Sequence, residues 1–208
     1  MKKIAFGLMA TAIAGVFASQ AMAAPNFVAG KDYTVLTTPQ PTDNKAKIEV
    51  REFFWYGCPH CYALEPHMQT WLKKLPKDVH FVRTPAPLNP TWELGAKAYY
   101  ASEALGVRQN THIPLFDAHH EASRGVLDEQ ALTKFFTRYK VSESQFKSAF
   151  NSFAVAQRIA KAKRLMQNYQ LSGVPAVVVN GKYMVQGEDA KVTQVIDFLV
   201  EKERKAKK

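Results

Sequence analysis

The chain of 208 residues holds two cysteines, and they stand together in Cys58-Pro59-His60-Cys61. A disulfide between them would close so small a loop that it would restrain little of the unfolded chain, because loop-closure entropy is least for short loops. Redox chemistry explains the pair better than stability does. Pro59 suits the first turn of a helix, where a missing N–H costs nothing. A Cys58 thiolate at that helix N-terminus is stabilised by free backbone N–H groups and by the helix dipole. Its pKa falls, and a stabilised thiolate is a good leaving group, so the disulfide should act as an oxidant. His60 can add a hydrogen bond or a positive charge. Cys61, one turn further in, should be the less exposed sulfur and resolve a mixed disulfide. A closed zinc site needs four ligands, and a second Cys pair is missing, so no metal is expected. His67, His80, His112, His119 and His120 read as ordinary surface or helix histidines.

Glu52 precedes Cys58 on a segment where Ile48, Val50 and Phe54 share its strand face. A carboxylate on an apolar face is costly unless paired or protonated. Desolvation would raise its pKa, which suits a proton carrier near the cysteines; a plain ion pair with Arg83 is the competing reading. Gly173-Val174-Pro175 comes before a second apolar strand segment. Proline is tolerated at a strand start, and the sequence alone favours a trans Val174–Pro175 bond.

These residues need elements to position them. Residues 24–46 read as an extended entry with turn signals at Pro39, Pro41, Asp43 and Asn44. Residues 47–56 form a strand. A helix then runs from Cys58 to about residue 74 with a kink at Pro66, followed by a short strand at 79–83. Pro85, Pro87 and Pro90 break the chain before a long helical block. Leu127, Ala131, Leu132, Phe135, Phe136 and Tyr139 form one stripe at helical spacing. Phe146, Ala149, Phe150 and Phe153 form another behind a Ser142–Gln145 capping box. Strand character returns at 176–179, Asn180-Gly181 signals a hairpin, and 182–185 is its return strand. Val192, Val195, Ile196, Leu199 and Val200 mark a last amphipathic helix. The order describes an α/β sheet interrupted by an all-helical insertion.

At the N-terminus, Lys2 and Lys3 precede an uncharged run ending in Ala21-Met22-Ala23. That is a cleavable signal peptide over residues 1–23. Its apolar part is short for a membrane span. The formal charge of +10 is dispersed apart from a basic C-terminal tail. In an exported protein it serves solubility, with a weak attraction to acidic surfaces, and nucleic acid is not an expected partner.

Four segments taken in order resemble the bacterial DsbA thiol:disulfide oxidoreductases: Glu52-Phe53-Phe54, Cys58-Pro59-His60-Cys61-Tyr62, Val174-Pro175 and Val179-Asn180-Gly181-Lys182-Tyr183. The resemblance spans the mature chain. It implies a thioredoxin fold over 24–88 and 168–208, with an inserted all-helical domain over 89–167. It implies a periplasmic dithiol oxidase that donates its Cys58–Cys61 disulfide to exported proteins during oxidative folding. No cofactor beyond that redox-active disulfide is implied. By resemblance, Cys58 is the exposed nucleophile, Cys61 its buried partner and His60 the residue that tunes the thiolate. Glu52 matches the buried acid, and Glu65 is a second participant in proton transfer. Val174 and a cis Pro175 form the substrate-binding loop beside the disulfide. The implied partners are unfolded or folding exported proteins with free thiols, and an inner-membrane, quinone-linked oxidase resembling DsbB; the protein itself is expected to be a monomer. The chain departs from the family pattern at Trp55-Tyr56-Gly57, at Pro66, and at Arg83, where a lysine is familiar. Those departures bear on substrate preference and redox poise. The rival readings are an isomerase or reductase, for which a dimerisation module is missing, and a peptide-holding chaperone with an incidental disulfide.

Overall fold

The computed structural model describes residues 26–120 and 128–206. The expected signal peptide, and Leu127 of the first helical stripe, lie outside the described residues. In chain order the elements are β1 (Thr34–Val35), β2 (Ile48–Phe54), α1 (Pro59–Leu72), β3 (Val79–Pro85), α2 (Pro90–Ala104) and α3 (Arg108–His120). After them come α4 (Glu129–Thr137), α5 (Glu143–Phe150), α6 (Phe153–Asn168), β4 (Ala176–Val179), β5 (Tyr183–Gln186) and α7 (Ala190–Ala206). The strands lie in the order β1-β5-β4-β2-β3. β2 pairs in parallel with β3, and the β2–β4, β4–β5 and β1–β5 pairs are antiparallel. A parallel pair needs a crossover, and α1 supplies it between β2 and β3.

The central position of β2 explains its sequence. It has a strand on each side, and all seven of its residues are buried. Ile48 and Val50 join a core beneath α1 and α7, with Leu64, Met68, Ile196 and Leu199. The charged residues of β2 must then be paired. Arg51 is held by Glu49 at 3.0 Å, Thr84 at 2.7 Å and Asp43 at 2.7 Å.

The helical block resolves into α2 to α6 among the described residues. Its aromatic stripes are core, as expected: Leu132, Phe135, Phe136, Phe146 and Phe150 are buried with Phe54, Tyr56, Cys58 and Cys61 in one cluster. The helices thus pack onto the end of β2 that carries the cysteines. Phe153 departs from its stripe and is 78% exposed; it opens a new helix behind the Ser152 cap. The Ser142–Gln145 capping box forms with both of its hydrogen bonds. The β4–β5 hairpin turns at Asn180 and Gly181, both with positive φ. A Cβ on Gly181 would fall 2.0 Å from the Gln40 carbonyl oxygen. β1 carries no periodic signal in two residues, which is why the entry segment does not announce it. Pro66 sits inside α1 without ending it, and the helix closes at Leu72. Among the described residues, no helix is long and apolar enough to cross a membrane.

Candidate active site

The chain leaves β2, turns through Trp55-Tyr56-Gly57 and enters α1 with Cys58 as the N-cap and Pro59 in its first turn. Gly57 is required there, since a Cβ would meet the Trp55 ring at 2.4 Å. That ring is stacked on Trp92 with centroids 4.4 Å apart. Both cysteines are free thiols. Cys58 Sγ accepts the Cys61 backbone N–H at 3.4 Å and donates to the Val174 carbonyl oxygen at 3.4 Å. Cys61 is fully buried and Cys58 is 6% exposed. The ranking of the two sulfurs is the expected one, but Cys58 is far less open than expected, because the Val174 carbonyl comes down on its sulfur.

The two thiols differ sharply in acidity. A hydrogen bond from Cys61 lowers the Cys58 pKa to about 6 against the cost of burial, helped by the Cys61 and His60 backbone N–H groups and the His60 charge. Burial pushes the Cys61 thiol far up, and its contact with Cys58 adds to that. His60 points outward, and its Nδ1 pairs with Glu188. Glu188 raises the His60 pKa by hydrogen bond and by charge. The Val174–Pro175 peptide is cis, where the sequence alone favours trans.

Beneath the cysteines lies a buried polar cluster. Arg83 donates from Nε to Glu52 at 2.9 Å and from Nη2 to Glu65 at 2.7 Å. Gln69 donates to Glu65 at 2.5 Å. Burial raises the Glu52 pKa to about 7, with the Arg83 charge opposing and the Glu65 charge adding. Glu52 is thus paired with Arg83 while burial lifts its proton affinity. Its field reaches Cys61 and adds to the rise there. Burial also raises Glu65, but contacts from His112, Arg83 and Gln69 more than reverse this and leave it below the ordinary carboxyl value.

His112 corrects the reading of the histidines as ordinary. It is 3% exposed, its Nδ1 lies 2.9 Å from the Tyr56 hydroxyl, and its Nε2 lies 3.5 Å from Glu65. Nothing in the spacing along α3 marks it; only the packing of α3 against α1 and β2 brings it to the cluster. Glu188 was likewise invisible, since its partner His60 lies on another element. His120 donates from Nε2 to the Tyr56 carbonyl at 2.8 Å and stacks on Tyr62. Among the described residues, no group of three or more His, Cys, Asp or Glu side chains is arranged to hold a metal ion. Once oxidised to a disulfide, the Cys58–Cys61 pair can accept two electrons and return one sulfur as a thiolate, with a buried carboxyl, Glu52, whose charge is felt at the inner sulfur.

Comparison with known proteins agrees with this chemistry. The DSBA-like thioredoxin domain family matches residues 49–195. A curated relative from Pseudomonas aeruginosa PAO1, named Thiol:disulfide interchange protein DsbA, is 40% identical over 201 residues, covering 95% of each chain. Its namesake from Pseudomonas syringae pv. tomato is 39% identical and covers 94% of this chain and 93% of its own. Among solved structures, the crystal structure of Pseudomonas aeruginosa DsbA superposes with a TM-score of 0.82 at 41% identity, over 86% of this chain and 96% of that one. The oxidoreductase DsbA from Xylella fastidiosa superposes at 0.80 with 36% identity, over 86% and 98%.

Proposed function

The chain belongs to the DsbA family of thiol:disulfide interchange proteins, and from that premise we propose that it is a periplasmic dithiol oxidase donating a Cys58–Cys61 disulfide to exported proteins as they fold. The observation that carries this reading is the contrast between the sulfurs. Cys58 caps a helix and holds its charge at a pKa of about 6, while Cys61 is buried and kept neutral. Reducing such a disulfide creates a stabilised thiolate, so electrons flow into it.

In the first step a client thiolate attacks Cys58 sulfur of the oxidised protein. The Cys58–Cys61 bond breaks, a client–Cys58 disulfide forms, and Cys61 leaves with the electron pair. Cys61 cannot keep a negative charge where it is buried, so it takes a proton, and Glu52 is the group suited to supply it. Glu65 takes part through the shared Arg83. In the second step another client thiol loses its proton and attacks the client sulfur of the mixed disulfide. Cys58 departs as the thiolate, stabilised by the helix N-terminus and tuned by His60. The client leaves oxidised by two electrons, and the protein is the reduced dithiol.

Val174 and Pro175 form the client-binding loop in this reading. The Val174 carbonyl lies against Cys58, so an extended client pairing with the Val174 backbone would bring its thiol to that sulfur. Pro175 has no N–H to compete for the client. The disulfide is the only redox group the chemistry needs. Re-oxidation falls to an inner-membrane, quinone-linked oxidase of the DsbB kind. The protein acts as a monomer, exported by a signal peptide over residues 1–23, with a thioredoxin-like unit over 24–88 and 168–208 and a helical unit over 89–167.

The test is equilibration of the protein with reduced and oxidised glutathione at known ratios, followed by mixing the oxidised form with a reduced, unfolded client. An oxidase loses its disulfide to glutathione readily and transfers it to the client, and Cys58→Ser abolishes transfer. A disulfide that persists in strongly reducing glutathione would assign the protein to reduction instead.

A further inference from the structure

Arg83 stands between two buried carboxylates and gives one hydrogen bond to each. One cation cannot hold two desolvated anions equally, because the second anion meets both burial and its neighbour's charge. The remaining donors break the tie. Arg83 is the only hydrogen-bond donor to Glu52 among the described residues. Glu65 Oε1 also accepts from Gln69 and faces His112 Nε2 at 3.5 Å.

The tautomer of His112 follows from its surroundings. Burial holds the imidazole pKa down to about 4, so the ring is neutral near pH 7 and carries one N–H. Burial keeps the Tyr56 hydroxyl protonated, and it sits 2.9 Å from Nδ1. An ionised Glu65 can only accept. The arrangement that satisfies all three has Tyr56 O–H donating to Nδ1 and Nε2–H turned to Glu65. Phe54 and Phe116, each with ring centroids 5.3 Å from His112, hold the imidazole edge-on in that orientation. Nε2 makes no closer hydrogen bond among the described residues, and Glu65 at 3.5 Å is the acceptor it faces.

We propose that His112 is a positioning residue for proton transfer: with Tyr56 it keeps Glu65 as the ionised partner of Arg83, and so leaves Glu52 as the carboxyl that exchanges a proton with Cys61. The inference rests on the reading of Glu52 as proton carrier. The groups that face Glu52 are Arg83 from β3 and Glu65 and Cys61 from α1; those that face His112 are Glu65, Arg83, Arg108, Tyr56 and Tyr99. Removing the N–H of His112 withdraws support from the Glu65 anion, which then takes the shared proton. Glu52 loses a neighbouring negative charge and becomes the more acidic of the two.

Reduced protein labelled with carbon-13 at the glutamate side-chain carboxyls tests this by NMR titration, with Glu52→Gln and Glu65→Gln used for assignment. In the wild type the Glu52 signal titrates near 7 while Glu65 stays ionised. In His112→Phe the near-neutral titration moves to Glu65, and the Glu52 midpoint falls by about one pH unit. The pH profile for expulsion of Cys61 by a client thiolate, followed by stopped flow, moves to lower pH with it. His112→Gln, whose amide can donate to Glu65, restores both. Tyr56→Phe keeps the ring and removes only the hydroxyl, so it gives a smaller shift in the same direction and serves if His112→Phe does not fold. A Glu52 titration unchanged in these variants overturns the role of His112 and leaves the oxidase standing. A wild-type Glu52 ionised across the whole range overturns the proton-carrier reading and this inference with it.

Discussion

Cys58 owes its acidity to position. The same thiol in an unfolded chain has no helix N-terminus and no fixed donors from Cys61 and His60. The ultraviolet absorbance of the thiolate in the reduced protein should therefore titrate with a midpoint near 6. A midpoint close to the ordinary value of 9.0 would leave the protein without its driving force. His60→Ala should raise the midpoint, because a cation near the thiolate is lost. Glu188 acts one step further out. It pairs with His60 at an exposed site, with side chains 50% and 65% accessible respectively, so water screens the pair and its contribution to stability is small. Its effect on the imidazole is direct all the same. Glu188→Gln should lower the His60 pKa, read from the His60 ring protons by NMR, and a His60 titration unchanged in the variant would show that the pair does not form in solution.

At the scale of the element, the turn between β2 and α1 decides where the sulfur sits. Gly57 allows the Trp55 ring to lie across the backbone, and Trp92 on α2 closes over that ring. Gly57→Ala must displace one of these rings. The cost should be about 1–3 kcal/mol, the usual range for overpacking a filled site, measured as a fall in the urea midpoint with an unchanged slope. A neutral result would mean that the tryptophan stack moves freely. Much of this level was legible in advance. The Ser142–Gln145 capping box, the Asn180-Gly181 turn and the aromatic stripes are local patterns, each set by neighbours within a turn or two. The need for Gly57 was not legible there, because the ring that makes it necessary is held by a tryptophan from another element.

For the whole molecule, the redox state and the stability are linked. The folded pKa of Cys58 lies below its unfolded value, so the reduced form gains stability that is fully present above about 9 and is lost as pH falls through about 6. Cys61 is raised instead and stays neutral on both sides of folding below its ordinary value, so it adds nothing to the slope in this range. Glu52 titrates near 7, but it is present in both redox forms and largely cancels in their difference. The reduced protein should therefore be more resistant to urea than the oxidised protein at pH 8, and the gap should narrow steadily toward pH 5. A gap that widens with acid, or an oxidised form that is the more stable at pH 8, would contradict an oxidant. The cross-link opposes the trend only weakly, because its loop is so short.

By itself the sequence determined the redox pair, its place at a helix N-terminus, the carboxyl on the strand before it, and the α/β order broken by helices. These follow from spacing, composition and local propensity, and they survive any arrangement of the remaining chain. Tertiary structure alone decided which groups meet the pair. The Val174 carbonyl reaches Cys58 from 116 residues away and Glu188 reaches His60 from 128. His112 comes to Glu65 from another helix. Desolvation belongs to the assembled core, not to any segment. That is why Cys58 is more buried than its motif suggests, and why two glutamates sharing one arginine end with opposite shifts in proton affinity.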